Sequence, residues 1–597
     1  MAVTSATSAM RRFLSALAKA LAEDDAKAAA GLFAPDAYWR DLVSFTWNIR
    51  TMEGRPAIKA MIEACLPHVK PRNFKIDGKV SQSDGIAEAW IIFETAVARG
   101  RGHVRLKGDK CTTLLTTMAE LKGHEEKTGE ARDPGVVHGA ELGRKTYAER
   151  RAEELATLGV STQPYCVIIG GGQGGIALGA RLRRLGVPTI IIEKNPRAGD
   201  SWRNRYKSLC LHDPVWYDHL PYLPFPDDWP VFAPKDKIGD WLESYTKIME
   251  LNYWSSTVCD RASYDEAKGE WTLHVTREGR PMVLHPKQLV LATGMSAVAN
   301  MPDYPGQASF KGIVVHSSQH KGSDGWKGRT CVVIGSNNSA HDICADLYEH
   351  GADVTMVQRS STLVARSSSL MELGLAGLYS EAATKAGITT DKADMIFASV
   401  PYGMMAETQK PIYEAMKIRD ASLYERLKAV GFSLDFGEDG SGLFMKYLRR
   451  GSGYYIDVGA SELIASGKIK LKSGKVREIK PNGVVMADGT HLPADLIVFA
   501  TGYSSMNGWA ERLISKDVAD KVGKCWGLGS STTKDPGPWE GELRNMWKPT
   551  HQPGLWFHGG NLHQSRHYSQ FLSLQLKARM EKIATPVYGM MPVHHRA

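Results

Sequence analysis

The sequence has no Cys-x-x-Cys pair, no run of basic residues longer than two, and no apolar stretch near the roughly 18–20 residues that cross a bilayer. Each absence removes a class of function. The eight cysteines (65, 111, 166, 210, 259, 331, 344, 525) are too scattered for a zinc ribbon or a redox dithiol, so no metal is expected. Cys166 and Cys331 fall in apolar strand-like runs and read as packed thiols of a reducing compartment. The net charge of +9 is dispersed, which suits attraction for anionic cofactors and gives no track for nucleic acid. Residues 10–23 interleave charges with Phe13, Leu14, Leu17 and Leu21 at helical spacing. That pattern is a soluble helix rather than a signal peptide. A cytoplasmic protein without membrane insertion is expected.

What is present is a globular composition, 43% hydrophobic and 23% charged over 597 residues, enough for three or four domain-sized units. Residues 1–135 stand apart. A first helix is followed by Gly31-Leu-Phe-Ala-Pro-Asp-Ala-Tyr-Trp-Arg-Asp41, a second helix near 56–66, and alternating stretches at 87–94 and 111–118. Helices ahead of a strand-rich half predict an α+β cone. Asp41, Glu94 and His103 are its polar candidates, weighed against ordinary core and surface groups. A polar stretch (123–134) and a linker (136–160), carrying a charged helix over 140–158, lead to the main body.

The body holds two strand–turn–helix–strand units. The first runs from Tyr165-Cys-Val-Ile-Ile through Gly170-Gly-Gly172-Gln-Gly174-Gly175 and a helix at 176–185 to Thr189-Ile-Ile-Ile-Glu193. This glycine spacing allows a tight turn, close approach to a pyrophosphate and close helix packing. Glu193, 23 residues after Gly170, is placed to accept from ribose hydroxyls. The second runs from Thr330-Cys-Val-Val-Ile through Gly335-Ser336-Asn337-Asn338-Ser339-Ala340 and a helix at 341–350 to a strand ending Gln358-Arg359. The same count from Gly335 reaches the neutral Gln358, and Arg359 can pair with a 2′-phosphate that an acid would repel. The first unit therefore should hold FAD and the second NADPH rather than NADH. Asn337 stands where a middle glycine is usual, with Asn338 and Ser339 as substitute donors.

Two apolar strands, 289–294 and 496–502, each close on Ala-Thr-Gly, where the backbone can pass near a cofactor. With Phe310-Lys-Gly312-Ile-Val-Val-His316-Ser-Ser-Gln-His320-Lys321, Gly199-Asp-Ser-Trp202, and the loop from Arg205-Tyr206 through Leu209-Cys-Leu-His212-Asp-Pro214 to Leu220-Pro-Tyr-Leu-Pro-Phe-Pro226, the chain resembles the class B flavin-dependent monooxygenases. Within them it resembles the flavin-containing and YUCCA-type members, over about residues 160–580. The Trp39-Arg-Asp41 turn and the element order before it resemble the NTF2-like (SnoaL-like) family.

The resemblance implies an α/β architecture of two Rossmann-like domains plus the α+β cone. The FAD domain would span 161–320 and 495–597, and the NADP domain 321–494, with a helical insert at about 360–452. It implies hydride transfer from NADPH to flavin, addition of dioxygen at C4a, and passage of one oxygen from the hydroperoxyflavin to a small organic substrate. His212 and Asn561, the latter in Phe557-His-Gly559-Gly-Asn561 before the last helix, would lie at the reacting end. Lys194, Ser201, Trp202, Val258, Thr293, Thr501 and Gly502 would touch cofactor, and His316 and Lys321 would serve NADP(H). N- or S-oxygenation and YUCCA-type oxidative decarboxylation are the leading chemistries. Alternatives are Baeyer–Villiger insertion, which His320 in place of an aromatic residue disfavours, and an NADPH oxidase or sensor whose cone binds a ligand. The cone could also serve as a lid or as the face of a homodimer.

Overall fold

The computed structural model describes residues 2–295 and 298–593. At the N-terminus, helices Ala2–Ala22, Ala26–Gly31 and Gly54–Val69 pack on a six-stranded mixed sheet. Rings fill the space between: Phe33 stacks on Trp39 at 5.5 Å, and Trp39 meets Phe45 edge-on at 5.0 Å. The three polar candidates there are structural. Buried Asp41 accepts from Ser44, Thr46 and Thr116 hydroxyls and from the Phe45 and Thr46 amides. Glu94 pairs with Lys122 at 2.7 Å, and His103 lies 3.4 Å from Glu88.

The linker helix is shorter than the charge pattern suggests, running Tyr147–Thr157. Thr146 and Glu149 form a capping box that fixes its start, so residues 140–145 stay irregular.

Two five-stranded parallel sheets follow. The first has the order Leu555–Phe557, Gln288–Leu291, Cys166–Ile169, Thr189–Ile192, Tyr253–Trp254. Its four longest runs are wholly buried and almost continuously apolar, as a parallel sheet covered on both faces requires. The second has the order Ile313–His316, Leu496–Phe499, Thr330–Ile334, Asp353–Gln358, Lys470–Ser473. Here the sequence-based boundaries need correction. Ile313–His316 and Leu496–Phe499 pair with each other, and the latter also with Thr330–Ile334. The second domain therefore begins before 320 and ends after 494. Apolar strands of similar length carry no mark of which sheet they will join.

The insert is not purely helical. Strands Leu363–Arg366 and Tyr454–Asp457 pair in parallel and bracket its helices, including Tyr402–Arg419 and Gly442–Arg450. The last helix, Leu562–Met580, is buried along nearly its whole length, with Arg566 bonded to Asp394 of the insert at 2.8 and 2.9 Å. The N-terminal sheet and its helices are locked to this body through Arg40. Its guanidinium donates to Glu542 at 2.6 and 2.8 Å, to the Ala398 carbonyl at 2.8 Å and to the Tyr568 hydroxyl at 3.1 Å.

Candidate active site

Both glycine turns open onto one cavity of about 1200 Å³. At the first, Gly170 has φ +111°, and a Cβ there would sit 2.3 Å from the Ala292 carbonyl oxygen. Only glycine fits. A Cβ on Gly175 would sit 2.0 Å from the Gly170 carbonyl, so Gly175 packs helix against turn and does not reach the cavity wall. Gly172 and Gly174 do line it. Gly172 is the N-cap of helix Gln173–Arg184 and supplies no side-chain cap, leaving the leading N–H groups for an anion.

Ser201 and Thr293 line the cavity with buried hydroxyls that have no hydrogen-bond partner among the described residues. Such groups carry a desolvation cost unless something bound in the cavity meets them. The Trp202 indole donates to Gln173 at 3.1 Å. Glu193 accepts from the Gly171 amide at 2.9 Å and from the Asn195 amide at 2.8 Å, and so knits the turn while facing the cavity beside Lys194 and Val258.

The second turn repeats the design. Gly335 has φ +136°, and its Cβ would meet the Ala500 carbonyl at 2.3 Å. Asn337 is the N-cap of helix Asn338–Glu349 but makes no cap hydrogen bond. Ser339 lines the cavity, whereas two neighbours also turn toward the insert. Asn338 Oδ1 accepts from the Ile456 amide at 3.0 Å, and Ser336 Oγ lies 2.8 Å from Thr362 Oγ1. Gln358 is buried and bonds both ways to the Ser433 backbone, at 2.7 and 3.0 Å. The neutral side chain is thus committed away from the cavity. Arg359 lines the cavity with no ion pair among the described residues. Burial lowers the Lys534 ammonium, and the charges of Arg450 and Arg359 lower it further, so three cations gather at this end.

Thr501, Gly502 and Lys321 also face the cavity. Thr501 Oγ1 donates to the Asn300 carbonyl at 2.6 Å, and Lys321 Nζ to the Asn204 carbonyl at 3.0 Å. His316 is the exception. It is 0% exposed and lies behind the wall, with Nε2 3.1 Å from the Gly502 carbonyl and Nδ1 2.9 Å from Ser318 Oγ. Both ring nitrogens are used in bracing the wall, and burial lowers its pKa. The direct nucleotide contact expected of His316 is therefore corrected to a supporting position.

A third region lies where the loop after Arg205, the insert and the last helix converge. His212, Asp213, Tyr447, Tyr454 and Asn561 line it. His212 Nε2 is 3.4 Å from Asp342. Burial opposes the imidazolium, but the hydrogen bond and charge of Asp342 outweigh it and raise the His212 pKa. Asn561 is the N-cap of the last helix and donates to the Tyr217 hydroxyl at 3.2 Å. Tyr447 donates to Gln564 at 2.6 Å.

Asp213 was not singled out in the sequence. Burial pushes its carboxyl up to about 6, with His212 the one charge pulling it down. Its position beside His212 in an already suspect loop was the only signal, and a lone carboxylate before a proline has no pattern to read.

The residues fit two dinucleotides. Two helix starts without side-chain caps, two glycines that tolerate no side chain and, among the described residues, two hydroxyls without a hydrogen-bond partner and a guanidinium without an ion pair face one space.

Comparison with known proteins agrees with this geometry. The description "Flavin-binding monooxygenase-like" matches residues 196–374. The chain is 30% identical over 380 residues to indole-3-pyruvate monooxygenase YUCCA1 of Oryza sativa subsp. japonica, covering 63% of this chain and 84% of that one. It is 31% identical over 349 residues to probable indole-3-pyruvate monooxygenase YUCCA3 of Arabidopsis thaliana, covering 57% and 73%. Among solved structures, ε-caprolactone-bound cyclohexanone monooxygenase superposes with a TM-score of 0.51 at 18% identity, covering 70% of this chain and 88% of that one. That last likeness concerns the fold.

Proposed function

The chain belongs to the flavin-binding monooxygenase-like family, and on that premise we propose that it holds FAD at the Gly170 turn and NADPH at the Gly335 turn and oxygenates a small organic substrate. The observation that carries this reading is the shared cavity: both turns, with their uncapped helices, face one space of about 1200 Å³. That lies just above the roughly 300–1,000 Å³ common for a single small-molecule site. When bound and reduced, the flavin supplies the electrons that activate dioxygen.

The protein's own contribution is binding, orientation and exclusion of water. The N–H groups opening Gln173–Arg184 and the Ser201 and Thr293 hydroxyls receive the first dinucleotide. The N–H groups opening Asn338–Glu349 receive the second, and Arg359 takes its 2′-phosphate. His212, paired with Asp342, and Asn561, bonded to Tyr217, sit at the reacting end as oriented donors. The N-terminal cone has an NTF2-like plan, and Arg40 makes it a brace for the insert and last helix rather than a separate ligand module.

A second reading is oxidative decarboxylation of an α-keto acid, which the names of the plant relatives suggest. The test is to purify the protein and record its flavin absorbance. NADPH or NADH is then added anaerobically, dioxygen is admitted, and oxygenated product is weighed against hydrogen peroxide. Yellow protein reduced faster by NADPH, with product matching oxygen uptake, is expected. Peroxide alone across all substrate classes would leave only an NADPH oxidase.

A further inference from the structure

A third glycine turn opens onto the cavity. Strand Leu555–Phe557 runs through His558, Gly559 and Gly560 to the N-cap Asn561, and the last helix begins at Leu562. Gly559, Gly560 and Asn561 all line the cavity. Gly560 has φ +105°, and a Cβ there would sit 2.3 Å from Gln564 Oε1, so glycine keeps room for the Gln564 amide. Each residue of the turn is held by a different element. The Gly559 carbonyl accepts from the Trp547 indole at 3.2 Å. The Gly560 carbonyl accepts at 3.3 Å from Gln173 Nε2, at the start of the first-turn helix. Asn561 Nδ2 donates to the Tyr217 hydroxyl, and the Asn561 amide to Tyr447 of the insert, both at 3.2 Å.

The Tyr447 contact completes what the capping box leaves loose. Asn561 Oδ1 accepts from the Gln564 amide at 2.9 Å, but the reciprocal bond, from the Asn561 amide to Gln564 Oε1, is stretched to 3.4 Å. The Tyr447 hydroxyl closes that gap. It accepts from the Asn561 amide at 3.2 Å and donates to Gln564 Oε1 at 2.6 Å, using its one proton and a lone pair. Burial raises its pKa, so the proton stays in place to be donated. Tyr447 is fixed in its turn: its carbonyl accepts from the Trp526 indole at 2.8 Å, and its ring meets Trp526 edge-on at 5.1 Å. The insert that carries it is tied to the second turn, by Ser336 to Thr362 at 2.8 Å and by Asn338 to Ile456 at 3.0 Å.

We propose that Tyr447 is a positioning residue: through Asn561 and Gln564 it fixes the third glycine turn against the flavin, so that the insert of the second domain sets the flavin's environment in the first. This rests on the monooxygenase reading, which puts the reacting end of the flavin in the region that Asn561 lines. The start of the last helix carries positive partial charge, which favours the electron-rich reduced flavin over the oxidised one. A loosened turn holds that charge less closely, so the reduced form loses more.

The test uses the FAD-loaded protein and Tyr447→Phe, which removes one oxygen and keeps the ring. FAD should remain bound, because the Gly170 turn is untouched. Loss of the hydroxyl's hydrogen bonds should shift the ratio of affinities for reduced and oxidised FAD about three- to tenfold toward the oxidised form. In a two-electron couple that is a midpoint potential about 15–30 mV more negative, measured by dye equilibration. The visible flavin bands should move with it. Gln564→Leu, on the other side of the contact, should lower the potential too, and the shift in the double variant should fall short of the sum of the two. A tyrosine that served stability alone would lower the urea midpoint and leave the potential of the bound flavin unchanged. An unchanged potential in Tyr447→Phe, or fully additive shifts in the double variant, overturns the proposal. Should Tyr447→Phe fail to fold, Gln564→Leu alone decides, and an unchanged potential there overturns it. If the natural protein takes up FAD and one of these results appears, only the role of Tyr447 fails. If the natural protein takes up no FAD, the monooxygenase reading fails with it.

Discussion

Replacing Arg359 with alanine probes the asymmetry between the two turns. Arg359 lines the cavity and has no protein partner among the described residues, so its removal orphans no carboxylate and disturbs no network. The loss should therefore fall almost entirely on the ligand. A hydrogen bond to a charged group contributes about 1.5–3 kcal/mol. That corresponds to roughly 10- to 150-fold in affinity for NADPH. Arg450 and Lys534 remain nearby and would soften the loss, which favours the lower half of the range. NADH lacks the 2′-phosphate and should change by no more than about threefold, within the usual scatter of surface substitutions. The assay is anaerobic stopped-flow reduction of the bound flavin, with apparent Kd taken from the concentration dependence of the rate for each nucleotide. Parallel weakening of NADPH and NADH would show that Arg359 supports the turn generally. An unchanged Kd for NADPH would remove it from the site.

Other perturbations test the scaffold. Arg40→Ala strands Glu542 in the interior, which should cost about 3–5 kcal/mol in urea unfolding. The double change Arg40→Met with Glu542→Leu should recover much of it, and a single-variant loss below about 1 kcal/mol would contradict a brace at this point. Gly170→Ala forces a Cβ to 2.3 Å from a backbone carbonyl, so the purified variant should lack flavin absorbance; full flavin occupancy would disprove the cradle. Burial lowers the His558, His563 and His567 pKa values to about 3, 4 and 3. The unfolded chain would take up these protons as pH falls through about 6.5 while the folded chain does not. Stability is thus highest above that pH and should fall by up to about 4 kcal/mol per unit below it, three groups at about 1.36 each. A urea midpoint unchanged between pH 7.5 and 5.5 would refute this.

The sequence by itself determined the two glycine turns that open helices onto the cavity. A turn of this kind is a local object: strand, glycine, helix start and acid or arginine fall within about 25 residues, and steric need fixes the glycines. Gly170, Gly335, Glu193 and Arg359 were therefore legible from spacing alone. The packed cysteines and the presence of a helix after Asn561 were legible too, whereas the capping box at Asn561 was not read from the sequence. Tertiary structure decided whatever depends on residues distant in the chain. Strands Ile313–His316 and Leu496–Phe499 chose the second sheet because their edges met there, and an apolar strand does not encode its neighbour. His316 sat in a segment that carries the family resemblance yet lies behind the wall, since the Gly502 carbonyl, 186 residues away, claims its ring. Arg40 reads as a surface arginine until Glu542 and Ala398 surround it. Asp213 acquires meaning only from its place in the cavity wall, where burial pushes its carboxyl up to about 6 and His212 pulls it back down. Charge balance inside a protein is a property of three-dimensional neighbourhoods, and spacing along one chain cannot report it.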